Sequence, residues 1–396
     1  MKRKQLVIGL FGFGNVGQGL CDVLRRVNPD NVRIARACVR NTKKHRDAPV
    51  PITDKADDIF NDPEINLIVE LIDDADAAYV IVERALRQGI PVVSGNKKML
   101  AYHIMDLIEL QRLTGTALLY DASACGSIPV IRNLEEYYDN DLLISVKGIL
   151  NGSSNFILSK IFNEGMDYSE ALSIAQRLGF AESNPTLDVD GWDSLFKLVI
   201  ITIHAFGVYV RPEEIFTFGI GRMTADDIRF ANEKRRRIKL VGCAEKLGDD
   251  KLALTVMPQL ISKQKYIYSV EDEFNGIVIK GMFYYKQFMF GRGAGGHPTG
   301  SSVLSDITAQ TYDYRYEYKK LNSGHTPTYT TDFIFRIYYR YTTEGERHLL
   351  TFENINESYK SATYNYIVGD ICLSELIRNA DTLRRAEVFV AAYPAD

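Results

Sequence analysis

The feature that most constrains the fold is a glycine-rich turn near the start of the chain. Residues 5–10 (QLVIGL) form a short apolar run, Gly12-Phe13-Gly14-Asn15-Val16-Gly17 follows, and a helical pattern occupies 19–27. A strand, a G-x-G-x-x-G turn and a helix in that order make a dinucleotide-binding unit. Gly12 permits the tight turn, Gly14 lets backbone approach a pyrophosphate, and Gly17 lets the helix lie close to its strand. The helix N-terminus then offers unpaired N–H groups to phosphate. Gly12, Phe13, Gly14, Asn15, Val16 and Gly17 are therefore the first candidate cofactor contacts.

The pattern continues as strand–helix alternation. Residues 32–39 (VRIARACV) read as a second strand, 67–72 (LIVELI) as a third, and 91–94 as a fourth; helices are expected over 77–88 and 99–114, and a last strand over 117–120. This alternation predicts an α/β fold with a doubly wound parallel sheet over residues 1–130. An NAD-binding chain commonly carries an acidic residue at the end of the second strand. Here Arg40 stands there, followed by Lys43 and Lys44. A guanidinium can stack on adenine and pair with a 2′-phosphate, which favours NADP, with NAD as the alternative. Ser94 and Lys97 end the fourth strand, where such sheets place ligands, and are further candidates for cofactor or substrate.

The 396 residues are enough for two or three domains, and a net charge of −4 with both signs interspersed leaves no nucleic-acid footprint. The basic cluster at 234–237 falls within a helical pattern and reads as a solvated face. Five cysteines without C-x-x-C spacing point to neither a disulfide framework nor a zinc site. The basic-then-apolar N-terminus superficially resembles a signal peptide, but its apolar run is short and breaks into the glycine turn. No run approaches bilayer length. A cytoplasmic enzyme acting on a small molecule, as a homodimer or homotetramer, is the expectation.

Residues 131–310 should form a catalytic and dimerisation domain. Asn151-Gly-Ser153-Ser-Asn155 opens a helix over 156–163, with a serine as cap, and its hydroxyls and N–H groups suit a substrate carboxylate. A helix over 168–178 ends at Gly179, a C′ position. Residues 179–197 then concentrate Glu182, Asp188, Asp190, Asp193 and Lys197 before the apolar run LVIITIHAFG. Asp193 and Lys197 are four apart and share a helix face. A lysine ringed by carboxylates at the mouth of an apolar helix suits proton transfer; the plain alternative is a surface ion pair. Glycines at 291–300, Gly295 among them, precede a helix over 303–308, for close approach to a ligand or for a crossover back to the first domain. Residues 309–330 read as a polar, tyrosine-rich linker. Strands over 332–341 and 362–370, a helix over 373–385 and a strand over 386–392 read as a small α+β module.

The stretches GILNGSSNFIL (148–158), LGFAESNPTLDVDGWDSLFKL (178–198) and GRGAGGHPTGSSVLSDI (291–307), supported by GNKKMLA (95–101), resemble homoserine dehydrogenase over residues 5–310. The resemblance implies interconversion of L-aspartate 4-semialdehyde and L-homoserine, in threonine and methionine biosynthesis. It implies Lys197 as proton donor to the aldehyde oxygen, Asp193 as its partner, and Glu182 and Asp188 as substrate contacts beside Asn151 and Ser153. Lys97, Gly179 and Gly295 become cofactor contacts. Asp121 with the carbonyls of Ala124, Gly126 and Ile128 matches a sodium-binding loop. The tail then invites comparison with an ACT-type module binding an amino-acid effector such as threonine, or a dimerising appendage. The chain departs from the family pattern at Asp73-Asp74, where glycines are usual, and in the sodium loop, where Asp121 replaces glutamate and Cys125 and Ser127 replace glycines. Two other readings stay open: another oxidoreductase of the same plan, or a non-catalytic NADP-binding sensor.

Overall fold

The computed structural model describes residues 4–45, 47–139, 142–181 and 184–395. The chain divides into two compact units, Met1–Asp139 with Arg292–Asn322, and Asn140–Gly291 with Ser323–Asp396.

The first unit alternates β1 (Leu6–Phe11), α1 (Asn15–Val27), β2 (Val32–Cys38), β3 (Ile52–Thr53), α2 (Asp57–Phe60), β4 (Leu67–Glu70), α3 (Ala75–Arg87), β5 (Val92–Ser94), α4 (Lys97–Thr114), β6 (Leu118–Leu119), α5 (Asp121–Cys125) and α6 (Val130–Glu136). The strands pair in parallel in the order β3-β2-β1-β4-β5-β6. Order reverses between β1 and β4, so the ligand crevice of a doubly wound sheet opens at their C-terminal ends. The strands are apolar runs because parallel sheets are covered on both faces; Ile8, Leu10, Leu67, Ile68, Val69, Val92 and Val93 are fully buried.

The second unit begins with β7 (Leu143–Ile149), α7 (Gly152–Glu164), α8 (Tyr168–Arg177), α9 (Thr186–Val189), α10 (Trp192–Phe206), β8 (Phe216–Thr217), α11 (Ala225–Glu233), β9 (Arg236–Leu247), β10 (Lys251–Ser262), β11 (Phe274–Gly281) and β12 (Tyr285–Arg292). The helix α12 (Gly296–Gln310) belongs to the first unit and lies against α1. A Cβ on Gly19 would stand 2.1 Å from the Gly296 carbonyl oxygen, and one on Gly300 2.6 Å from the Leu20 nitrogen. These glycines therefore serve a close helix–helix crossing.

The tail differs from the separate module expected. Its strands β13 (Thr328–Tyr329), β14 (Ile334–Tyr341), β15 (Asn354–Lys360), β16 (Asn365–Cys372) and β17 (Phe389–Ala392) join the second unit's mixed sheet, with α13 (Glu344–Arg347), α14 (Leu373–Arg378) and α15 (Ala380–Arg385) between them. Among the described residues that sheet has eleven strands, running β12-β11-β7-β9-β10-β17-β14-β16-β15, with β8 and β13 also on β10. The reason is an open edge: β9 takes one side of β10 along twelve residues, and the other side takes β13 at Lys251, β8 at Thr255 and β17 at Gln259. An unpaired edge of that length would be a template for aggregation, and the tail covers it.

The tyrosine-rich stretch is no solvated linker either. Tyr316 and Tyr318 are buried; the Tyr318 hydroxyl accepts from Gln111 Nε2 at 3.0 Å and lies 3.1 Å from the Tyr120 hydroxyl. Tyrosine is buried when its hydroxyl finds a partner, and this run supplies them to one another. No helix among the described residues is long and apolar enough to cross a membrane.

Candidate active site

In the second unit, α10 is buried along almost its whole length, from Asp193 to Phe206. A helix apolar all round must be a core helix. Its N-cap, Gly191, has φ of +90°. That left-handed residue turns α9 sharply into α10 and brings the carboxylates at 188 and 193 toward one another. Asp193 sits in the first turn, where the helix dipole favours an anion.

Lys197 lies one turn further on. Its Nζ stands 2.8 Å from Asp193 Oδ2, with both side chains under a tenth exposed. It also donates to the Leu150 carbonyl at 2.7 Å. An ammonium has three donors. Two are thus engaged, and among the described residues the third has no partner. A buried ion pair is weak evidence of stabilisation, because desolvation offsets the attraction. A spare donor on a buried cation is instead what a developing oxyanion needs.

Asn151 ties the carboxylates together. Its Nδ2 donates to Asp188 Oδ1 at 2.7 Å and Asp193 Oδ2 at 2.9 Å, while its Oδ1 caps α7 by accepting from Ser154 N. Both amide hydrogens and the oxygen are engaged, so its side chain clamps Asp188 and Asp193 together. The Ser153 hydroxyl is likewise turned inward and donates to the Phe180 carbonyl. Gly179, with φ of +75° and open space at its Cβ position, is required by conformation, ending α8 just before that carbonyl. Glu182 lies outside the described residues. Lys197, Asp193, Asn151 and Asp188 are therefore brought together.

In the first unit the glycine turn matches its expected physics. Gly12 has φ of +93°, and a Cβ there would meet the Leu71 carbonyl oxygen at 2.5 Å; one on Gly17 would meet the Gly12 oxygen at 2.4 Å. Among the described residues, a Cβ on Gly14 would meet nothing within 4 Å and no side chain caps α1, which starts at Asn15 and continues through Val16. The turn and helix end thus fit a pyrophosphate. The Phe13 ring is buried edge-on to His45, so only its backbone is available to a ligand. Gly295 has φ of +118° and caps α12.

Arg40 is largely exposed but holds Asp74 at 2.8 Å. Asp74 also caps α3 by accepting from Ala77 N at 3.0 Å. That backbone N–H first, and Arg40 second, hold its carboxyl below the usual carboxylate range. Asp74, one of the two aspartates that depart from the family pattern, is thus committed to a helix end. Ser94 also turns inward: its hydroxyl donates to Glu70 Oε2 at 2.6 Å. Glu70 accepts Ile72 N at 2.7 Å, and burial pushes its pKa up to about 7 against the hydrogen bonds from Ser94 and Ile72. Lys97 is the first residue of α4, half-buried beside the Asn96 cap.

The expected sodium loop is a short helix. Asp121 Oδ1 accepts Ile131 N at 2.8 Å and Arg132 N at 3.0 Å, at the start of α6. The Ile128 carbonyl accepts Val130 N at 2.8 Å, Ala124 lies within α5, and Gly126 is pressed against Gly293. Asp121 Oδ1 and the Ile128 carbonyl are thus each engaged by backbone N–H groups at the start of α6.

Sequence reasoning missed Glu70, the Leu150 carbonyl and Asn275, whose Nδ2 donates to that same carbonyl at 3.0 Å. Glu70 and Asn275 carried one signal, a polar residue inside an apolar strand run.

Residues 12–121 match the family model described as homoserine dehydrogenase, NAD binding domain, and residues 129–308 match that described as homoserine dehydrogenase. The homoserine dehydrogenase of Helicobacter pylori is 37% identical over 313 residues, 77% of this chain and 73% of that one. That of Bacillus subtilis is 32% identical over 317 residues, 77% of this chain and 73% of that one. A crystal structure of a homoserine dehydrogenase from Thiobacillus denitrificans superposes with a TM-score of 0.86 at 29% identity, covering 99% of each chain. The chain belongs to the homoserine dehydrogenase family, oxidoreductases acting on the CH–OH group of homoserine through an NAD(P)-binding domain.

Proposed function

We propose that Lys197 is the proton donor in reduction of L-aspartate 4-semialdehyde and the acceptor in the reverse oxidation of L-homoserine. The observation that carries this is the buried ammonium, engaged by Asp193 and Leu150 and, among the described residues, left with one donor. The bound dinucleotide supplies or accepts the hydride. As hydride adds to the carbonyl carbon, the π pair moves to oxygen, and Lys197 stabilises that charge and passes it a proton. Asp193 keeps the amine oriented. Asp188, with Glu182, is assigned the substrate ammonium. An intact buried Lys197–Asp193 pair favours catalysis over the sensor reading.

The residues 12–17, Lys97, Gly179 and Gly295 are assigned to the cofactor. We assign NADP as the preferred dinucleotide, on Arg40 with Lys43 and Lys44 beside it. A sodium ion takes no part in the proposed step. A dimer or tetramer in the cytoplasm remains our expectation. An effector bound to the tail is not part of the reading, because the tail strands are spent on the shared sheet.

The test is absorbance at the nicotinamide band with homoserine and each dinucleotide, for the native chain and Lys197→Ala. Turnover on homoserine with NADP above NAD, lost in the variant, supports the reading; a variant as active as the native chain overturns it.

A further inference from the structure

We infer that Asn275 is a positioning residue for Lys197, acting through the carbonyl of Leu150. This rests on the catalytic role proposed for Lys197. The Leu150 carbonyl, at the junction of β7 and α7, accepts Lys197 Nζ at 2.7 Å and Asn275 Nδ2 at 3.0 Å. One carbonyl with two lone pairs thus joins the two side chains. β11 and β7 run antiparallel with Gly276 opposite Ile149, so Asn275 and Leu150 face one another one step beyond the last ladder pair.

Asn275 is fully buried, and among the described residues its Oδ1 is a buried acceptor with no partner. Such an oxygen is costly to bury, and a side chain kept at that cost needs a reason. Without Asn275, the Leu150 carbonyl is held only by the flexible lysine it is meant to position. With it, the carbonyl direction is set from β11, and Lys197 is fixed between two anchors, Leu150 and Asp193.

The seat of Asn275 is itself built. Asn155 Nδ2 reaches the carbonyls of Val270, Asp272 and Phe274 at 3.2, 2.9 and 3.2 Å, and Asn155 Oδ1 accepts the buried Lys239 at 3.1 Å. Lys239 also donates to Val270 O at 2.6 Å. The turn before β11, which includes Asp272 at φ of +51°, is thereby clamped to α7. This gives the last asparagine of the GSSN run a task that the sequence left unassigned.

The test compares Asn275→Leu and Asn275→Ala with the native enzyme. Leucine has the same branched skeleton, is somewhat larger and has no polar atoms, and Leu150 keeps its bond from Lys197. We expect Asn275→Leu to melt at or above the native temperature. Its single-turnover hydride transfer should fall about 10- to 100-fold, the scale of a small misplacement of a catalytic group. NADPH affinity, read by fluorescence, should be unchanged. The double variant Asn275→Leu/Lys197→Ala should be no slower than Lys197→Ala alone. A native rate in Asn275→Leu, or losses that multiply in the double variant, would overturn the inference. If Lys197→Ala itself transfers hydride at the native rate, it is the catalytic assignment that fails.

Discussion

Glu70 and Ser94 share a 2.6 Å hydrogen bond at the C-terminal ends of two neighbouring parallel strands. The bond belongs to a closed ring. Ile72 N donates to Glu70, Asn96 N to Ser94, and Asn96 Nδ2 to the Ile72 carbonyl. The ring fixes the turn from which α4 begins at Lys97. It also buries a carboxyl whose pKa rises from 4.5 to about 7. The folded state therefore keeps a proton that the unfolded chain releases. Stability from this group falls as pH rises from about 4.5 to about 7, and is level above that. Glu70→Gln is expected to flatten the melting temperature across that window and to raise it above pH 7. Melting curves from pH 4.5 to 8 check this, and an unaltered slope would exclude Glu70 as the titrating group.

Asp74 holds Arg40 and caps α3 with the same carboxylate. Serine also caps helices, so Asp74→Ser removes the charge and keeps the cap. Arg40 is then released to a 2′-phosphate. The NADP-over-NAD affinity ratio should rise about two- to five-fold, the size of an exposed ion pair, and more at low salt. Arg40→Ala should lower the ratio. Titration of each dinucleotide by fluorescence decides; no movement in either variant would remove Arg40 from recognition.

Lys197 and Asp193 are two charges in one buried pocket. Asp193→Ala leaves the ammonium uncompensated and should cost about 3 kcal/mol of stability. Turnover should fall about a hundred-fold or more through lost orientation. Replacing both, as Lys197→Met with Asp193→Leu, should restore most of the stability and none of the turnover. Urea unfolding with steady-state kinetics separates the two effects, and an active double variant would contradict the proton-transfer role.

Gly14 and Gly19 lie five residues apart and should respond oppositely. Gly14 has ordinary backbone with open space at its Cβ position, so Gly14→Ala should melt as the native chain does and lose dinucleotide affinity. At Gly19 a Cβ would stand 2.1 Å from the backbone oxygen of Gly296. Gly19→Ala should force α1 from α12 and destabilise by about 2 kcal/mol, within the range for overpacking. Melting without cofactor, followed by titration with it, tests both.

Much of the first unit was legible in the sequence, because a strand, a glycine turn and a helix are local objects with local periods. The strands expected over 5–10, 32–39, 67–72 and 91–94 appear as β1, β2, β4 and β5 within two residues at each end. The i,i+4 spacing of Asp193 and Lys197 was legible for the same reason: one helical turn sets it. What a side chain does after its helix is placed was not legible. Asn151 read as a substrate contact and is a clamp between Asp188 and Asp193, 37 and 42 residues away. Ser94 read as a cofactor contact, and its hydroxyl serves Glu70, 24 residues away. The tail read as a module of its own because its strand–helix pattern is self-consistent. Only the folded chain exposes the free edge of β10 that it completes. Periodicity and turn chemistry arise between neighbours in sequence and are carried by the sequence itself. The partner of a buried donor is chosen by which distant atoms the packing brings within 3 Å, and that choice exists only in the tertiary structure.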